Sequence, residues 1–195
     1  EQHFMENIFP VLTPIAIDPA HPFPFLANLS MALLFQLAHE ASTSTESQKD
    51  SEAKEQIAII PLPARLPRFI LLPSKKLRFV MLEDAIKLFL PILMPKFSAI
   101  DSALFRIIRD SELDIEDEDK DFVRNFELAV KQRRRGRVIQ IKFASPASHH
   151  LVQFVSDQMH VELEDVIDVE GLLGLANLKE LLEHAPANLR FQPFN

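Results

Sequence analysis

"RRRGRVIQIKF", residues 133–143, is the stretch on which the fold class turns. Its first half closes a helix and its second half opens a strand. Upstream, Phe122, Phe126, Ala129 and Val130 recur at i, i+4, i+7 and i+8, which sets them along one helix face. Acidic residues lead that helix, "KQRRR" ends it and Gly136 follows, an order that complements the helix dipole and supplies a residue able to take positive φ after the last turn. In "RVIQIKF" the pattern changes to alternation, with Ile139, Ile141 and Phe143 on one face of a strand. Ser145 and Pro146 then supply a cap and first helical position for a helix lined by Leu151, Val155 and Met159, and "LANLKELLEHA", residues 175–185, is predicted as a last helix.

Working toward the N-terminus, strands dominate. "SMALLFQLA" (30–38) and "IAIIPLP" (57–63) are strand-like runs, and "RFILL" and "RFVML" add two more, separated by "PSKK". Between the first two lies a stretch at 40–56 without a large apolar residue, rich in serine, threonine and charge, which reads as a solvated loop. Strands interleaved with helices, without regular βαβ spacing, give an α+β domain with a mixed β-sheet flanked by helices. A proline-rich strap precedes it: "IFPVLTPIAIDPAHPFPF", residues 8–25, carries five prolines among apolar residues, so it must run extended or turning with its side chains laid on another surface. The organisation expected is a strap over residues 1–30 and a single body over 31–195.

With 195 residues, 47% of them hydrophobic, the chain can bury one substantial core. No apolar run approaches the length of a membrane span, and zero cysteines rule out disulfides and thiolate metal sites and fit a reducing cytoplasm. A net charge of −7 gives no overall drive toward nucleic acid or anionic lipid. The missing initiating methionine and the abrupt "FQPFN" ending suggest a piece of a longer chain.

Only Gly136, Gly171 and Gly174 are present, so no phosphate-cradling glycine loop exists and "GLLG" reads as a turn. His149 and His150 are adjacent, on different helix directions, with no partner at zinc-like spacing, and His21 sits in a turn of the strap. The acidic run "DSELDIEDEDKD" lacks the central glycine and spacing of a calcium loop. No catalytic, cofactor-binding or metal-binding residue is therefore assigned. Arg133, Arg134, Arg135 and Arg137 are candidates for a polyanion contact, against the plainer reading of a solvated helix end. In "FRIIRD" Arg106 faces the polar side of a strand, while Arg109 shares the apolar face of Phe105 and Ile107 and reads as a paired, structural arginine beside Asp110. Because alternate side chains of an extended strap point in opposite directions, Phe9, Phe23 and Phe25 are candidates for an interface.

Residues 8–30, "IFPVLTPIAIDPAHPFPFLANLS", resemble the opening motif of the middle, or head, domain of bacterial polyphosphate kinase. "LPRFI" (66–70), "FRIIRDSELDIEDE" (105–118), "RRRGRVIQIKF" and "GLLGLANL" (171–178) fit in the same order. The resemblance implies an α+β unit that serves subunit association and shapes the active assembly. It also implies a cytoplasmic parent that transfers phosphate between ATP, with Mg²⁺, and polyphosphate. The phosphorylated histidine and the nucleotide-contacting residues of that family belong to catalytic C-terminal domains, with a contribution from a helical N-terminal domain. Partners would be those domains and a second subunit, and the isolated chain should be inactive. The alternatives from the residues alone are a self-sufficient phosphohydrolase, which needs a histidine beside anion-binding donors, and an independent polyanion-binding module resting on the arginine run.

Overall fold

Ala32, Leu33, Leu34, Phe35 and Leu37 are all buried, although successive side chains of a strand point to opposite faces. Such a strand needs cover on both sides, and the chain supplies it. In this computed structural model, residues 1–18, 23–39, 56–110 and 136–191 are described. In chain order the strands are β1 (Ile15–Ile17), β2 (Met31–His39), β3 (Gln56–Pro61), β4 (Phe69–Leu71) and β5 (Phe79–Met81). Helices α1 (Leu82–Leu88) and α2 (Leu90–Leu93) follow, then β6 (Phe97–Arg109), β7 (Val138–Ala144), α3 (His149–Met159) and β8 (Val166–Val169). Six strands form one sheet in the order β1-β3-β2-β6-β7-β8, while β4 and β5 pair as a separate hairpin. All pairs in the large sheet are antiparallel except β7 and β8, which run parallel across α3. The sheet is mixed and flanked by helices, as expected from the sequence.

One face carries Leu33, Phe35 and Leu37 of β2, with Ala58, Ile60 and Leu104, covered by α1, α2 and an N-terminal turn at Phe4–Ile8. Phe4 stacks on Phe89 with ring centroids 4.3 Å apart. The other face carries Ala32, Leu34, Phe105, Ile107, Ile141 and Phe143, covered by Leu151 and Val155 of α3. The strap joins the two layers around the sheet edge. Leu12 is buried in the first layer, Ile15 and Ile17 of edge strand β1 pack on the second, and Phe23 and Leu26 follow them there. Its start is less extended than its prolines suggest, because Phe9–Val11 forms one 3₁₀ turn with Pro10 near its beginning, where a missing N–H costs nothing.

Four local expectations change. Ile139 is 46% exposed and Val138 is buried in its place, because Ile108 pairs with Gln140 while Arg109 pairs with Val138, leaving Ile139 as the extra residue of a bulge. The cap of α3 is Ser148, whose side chain accepts from the Leu151 N–H. Ser145 stays in the ladder instead, its N–H donating to the Val169 carbonyl at 3.0 Å. The last helix shrinks to a 3₁₀ turn at Leu175–Leu178 and one α turn at Lys179–Leu182, since Leu175, Leu178 and Leu182 are exposed and find no core. The first half, expected to be mostly sheet, also contains α1 and α2, which the sequence reading did not place. The predicted helix around Phe122–Val130 and the loop 40–55 lie outside the described residues.

A buried ion pair holds the hairpin to the body. Arg68 and Glu83 are each 3% exposed; Arg68 Nε donates to both Glu83 carboxylate oxygens, at 3.0 and 3.2 Å, and its Nη1 donates to the Leu173 carbonyl. Glu180 then accepts from the Arg68 and Phe69 N–H groups at 2.7 and 3.2 Å. Gly174, at φ 78°, completes the turn, and a Cβ there would crowd the Arg68 guanidinium at 3.3 Å. "LPRFI" and "GLLGLANL" thus meet through one guanidinium. Glu83→Gln leaves that charge buried beside a neutral amide and should lower unfolding free energy by about 3–5 kcal/mol in urea denaturation. Pairing it with Arg68→Met should recover much of the loss. A single-variant loss below about 1 kcal/mol would show that the pair is not the hairpin's anchor.

Candidate functional site

Beside α3 the fold leaves a cleft of about 450 Å³. Its described walls are Phe23–Phe25 of the strap, Arg109 at the end of β6, Gly136–Val138 leading into β7, and Gln158–His160 at the end of α3. It therefore unites two sets that the sequence kept apart, the strap phenylalanines Phe23 and Phe25 and the cation Arg137.

Arg109 is the joint of this site. Its Nε donates to the Leu26 carbonyl at 2.9 Å and its Nη1 to the Gly136 carbonyl at 2.7 Å, while its own N–H donates to Asn28 Oδ1 at 2.8 Å. The guanidinium lies over the Phe25 ring, 4.7 Å from the centroid, a cation–π contact. The structural role read from "FRIIRD" holds, but these partners are carbonyls and a ring, with Asp110 tied elsewhere in the backbone: its N–H donates to the Arg137 carbonyl at 2.8 Å. Burial lowers the Arg109 pKa from its ordinary value, and the group still keeps its charge at neutral pH. Gly136 sits where no side chain fits, since a Cβ would lie 2.2 Å from the Asp110 carbonyl oxygen.

The other candidates are placed as follows. Arg137 is exposed in the cleft wall, whereas Arg133, Arg134 and Arg135 lie outside the described residues, as does His21. Phe25 is 60% exposed; Phe23 is half-buried against Phe154, with centroids 6.4 Å apart. Phe9 is 37% exposed and sits apart from them, on the turn between Ile8 and Leu12 that serves the opposite face. His149 and His150 are exposed in the first turn of α3. Sequence reasoning missed His160, the left-handed cap of α3 at φ 55°, whose signal was its place just past the last apolar residue of the helical pattern. Among the described residues no three His, Asp or Glu side chains gather to hold a metal ion. No described helix is long and apolar enough to cross a membrane.

Comparison with known proteins returns a consistent set. The family model of the polyphosphate kinase middle domain matches residues 1–181. A polyphosphate kinase of Erythrobacter litoralis is 32% identical over 195 residues, covering 100% of this chain and 26% of its own length. One from Mycolicibacterium gilvum is 30% identical over 198 residues, covering 98% and 26%. The crystal structure of polyphosphate kinase from Porphyromonas gingivalis matches with a TM-score of 0.68 at 19% identity, over 99% of this chain and 26% of that one, a likeness of fold. The chain spans about a quarter of the length of these relatives.

The close approach at Gly136 has a measurable consequence. Gly136→Ala must push the Asp110 backbone away and should cost about 1–3 kcal/mol of stability by thermal or urea unfolding. An unchanged transition would show that the contact relaxes freely.

Proposed function

Since the chain belongs to the polyphosphate kinase middle-domain family, we propose that it is a non-catalytic scaffold domain of a polyphosphate kinase, acting in subunit association and in shaping the active assembly. The observation that carries this reading is a match across 100% of the chain to only 26% of a relative. In the parent, a cytoplasmic enzyme, ATP and Mg²⁺ serve the phosphotransfer, and the residues that hold them belong to the catalytic domains. A helical N-terminal domain and a second subunit are the other partners.

The surface supports a docking role. Phe9 and Val11 are 37% and 50% exposed on the same N-terminal turn, and Phe25 is exposed on the strap. A side chain of this size left in water forgoes roughly 1.5–3 kcal/mol of burial, so a few together promote association. Phe23 contributes less, because its ring already packs on α3. The buried ionic chemistry, by contrast, is spent on cohesion, with Arg68 bonded to Glu83 and Leu173.

Two measurements test the reading. Incubated with labelled ATP and Mg²⁺, the isolated chain should form neither phosphohistidine nor polymer above a no-protein control; either product would overturn the non-catalytic assignment. Sedimentation should show weak, concentration-dependent self-association that Phe9→Ser with Val11→Ser reduces while the far-ultraviolet circular dichroism is unchanged. A chain that stays monomeric at high concentration would remove these residues from the interface.

A further inference from the structure

We propose that the cleft between the strap and the end of α3 is a phosphoanion-binding subsite, taking phosphate groups of an inorganic phosphate chain on Arg109, Arg137 and His160. The proposal rests on the reading of the parent as an enzyme of phosphate chains and goes beyond it by giving this domain a ligand of its own.

Three observations carry it. The first is charge. The protein has a net charge of −7, yet among the described residues lining the cleft the charged side chains are Arg109 and Arg137, with His160 beside them, and no carboxylate. A cleft lined by one sign concentrates ions of the other. The second is the state of Arg109. Its guanidinium is half-buried and bonded to the neutral carbonyls of Leu26 and Gly136, with the Phe25 ring over it. Those contacts fix its plane and, among the described residues, involve no carboxylate; a partly desolvated cation gains most from an incoming anion. The third is space. About 450 Å³ lies within the usual range of small-ligand sites, roughly 300–1,000 Å³.

The end of α3 points a negative helix terminus toward this region, which opposes an anion. That effect is muted because the Ser156 and Asp157 carbonyls already accept from the Val161 and His160 N–H groups. Phosphate suits the donors present: arginine binds phosphate oxygens through two parallel N–H groups, and a chain of phosphates can bridge two arginines.

Isothermal titration of the chain with inorganic tripolyphosphate at about 0.15 M salt tests the assignment. The wild type should bind; Arg137→Gln and His160→Asn should each weaken binding, the former by about tenfold. Both variants are expected to fold, because the Arg137 side chain is exposed and asparagine tolerates the left-handed backbone of position 160. Arg106 and Lys142 face each other across β6 and β7 and line no part of the cleft, so Arg106→Gln with Lys142→Gln serves as the control and should leave binding unchanged. Absence of wild-type binding, or an equal loss in the control, would overturn the proposal. Neither result bears on the scaffold reading, whose test uses Phe9 and Val11.

Discussion

Burial of β2 on both faces is the constraint from which the rest of the architecture follows. An antiparallel strand with one wet face alternates polar and apolar residues, but "ALLF" at 32–35 offers no polar side at all. One layer of cover would leave Leu34 or Phe35 in water. The chain therefore places α1, α2 and the first N-terminal turn on one side, and α3 on the other. The strap is what such a two-sided sheet demands of its N-terminal segment. It leaves Leu12 in one layer, passes the edge as β1 and delivers Leu26 to the other. Proline is tolerated along that route because an edge segment has few ladder hydrogen bonds to lose.

Two arginines hold the parts that this burial does not reach. Arg68 ties the β4–β5 hairpin to α1 and to the turn at Leu173, and Arg109 ties the strap to the start of β7. Each donates to backbone carbonyls of a distant segment, a use for which the five-donor planar guanidinium is better shaped than an ammonium. They differ in electrostatics. Arg68 meets a carboxylate, whereas the partners of the Arg109 guanidinium among the described residues are carbonyls and a ring.

The likeness to a solved polyphosphate kinase at 19% identity follows from the same physics. A core tolerates replacement of one apolar residue by another of similar volume, so fold outlasts sequence wherever the burial pattern is kept. Outside the core this chain keeps short elements and exposed leucines near its C-terminal end, among them Leu175, Leu182 and Leu189. They suit a domain whose surface is completed by other parts of a larger protein.

What the sequence determined by itself was whatever depends on period and composition. The α+β class, β2, β3, both strands of the hairpin, β7 and the apolar face of α3 were all legible, because alternation and the helical repeat are local signals. Helices α1 and α2 carried a readable signal too, Leu82, Ala85, Ile86 and Leu90 at helical spacing, but its first member closes "RFVML", which reads as a strand. Tertiary structure alone decided the rest. Whether Ile139 or Val138 faces the core depends on the pairing of β7 with β6, where a bulge inserts one residue. Whether Ser145 or Ser148 caps α3 depends on Val169, 24 residues further on, which holds Ser145 in the sheet. The cleft is the clearest case: Phe25, Arg109, Arg137 and His160 are scattered along the chain and share no motif. They meet because long-range pairing brings the strap, β6 and α3 together, and no local periodicity records which distant segments will lie side by side.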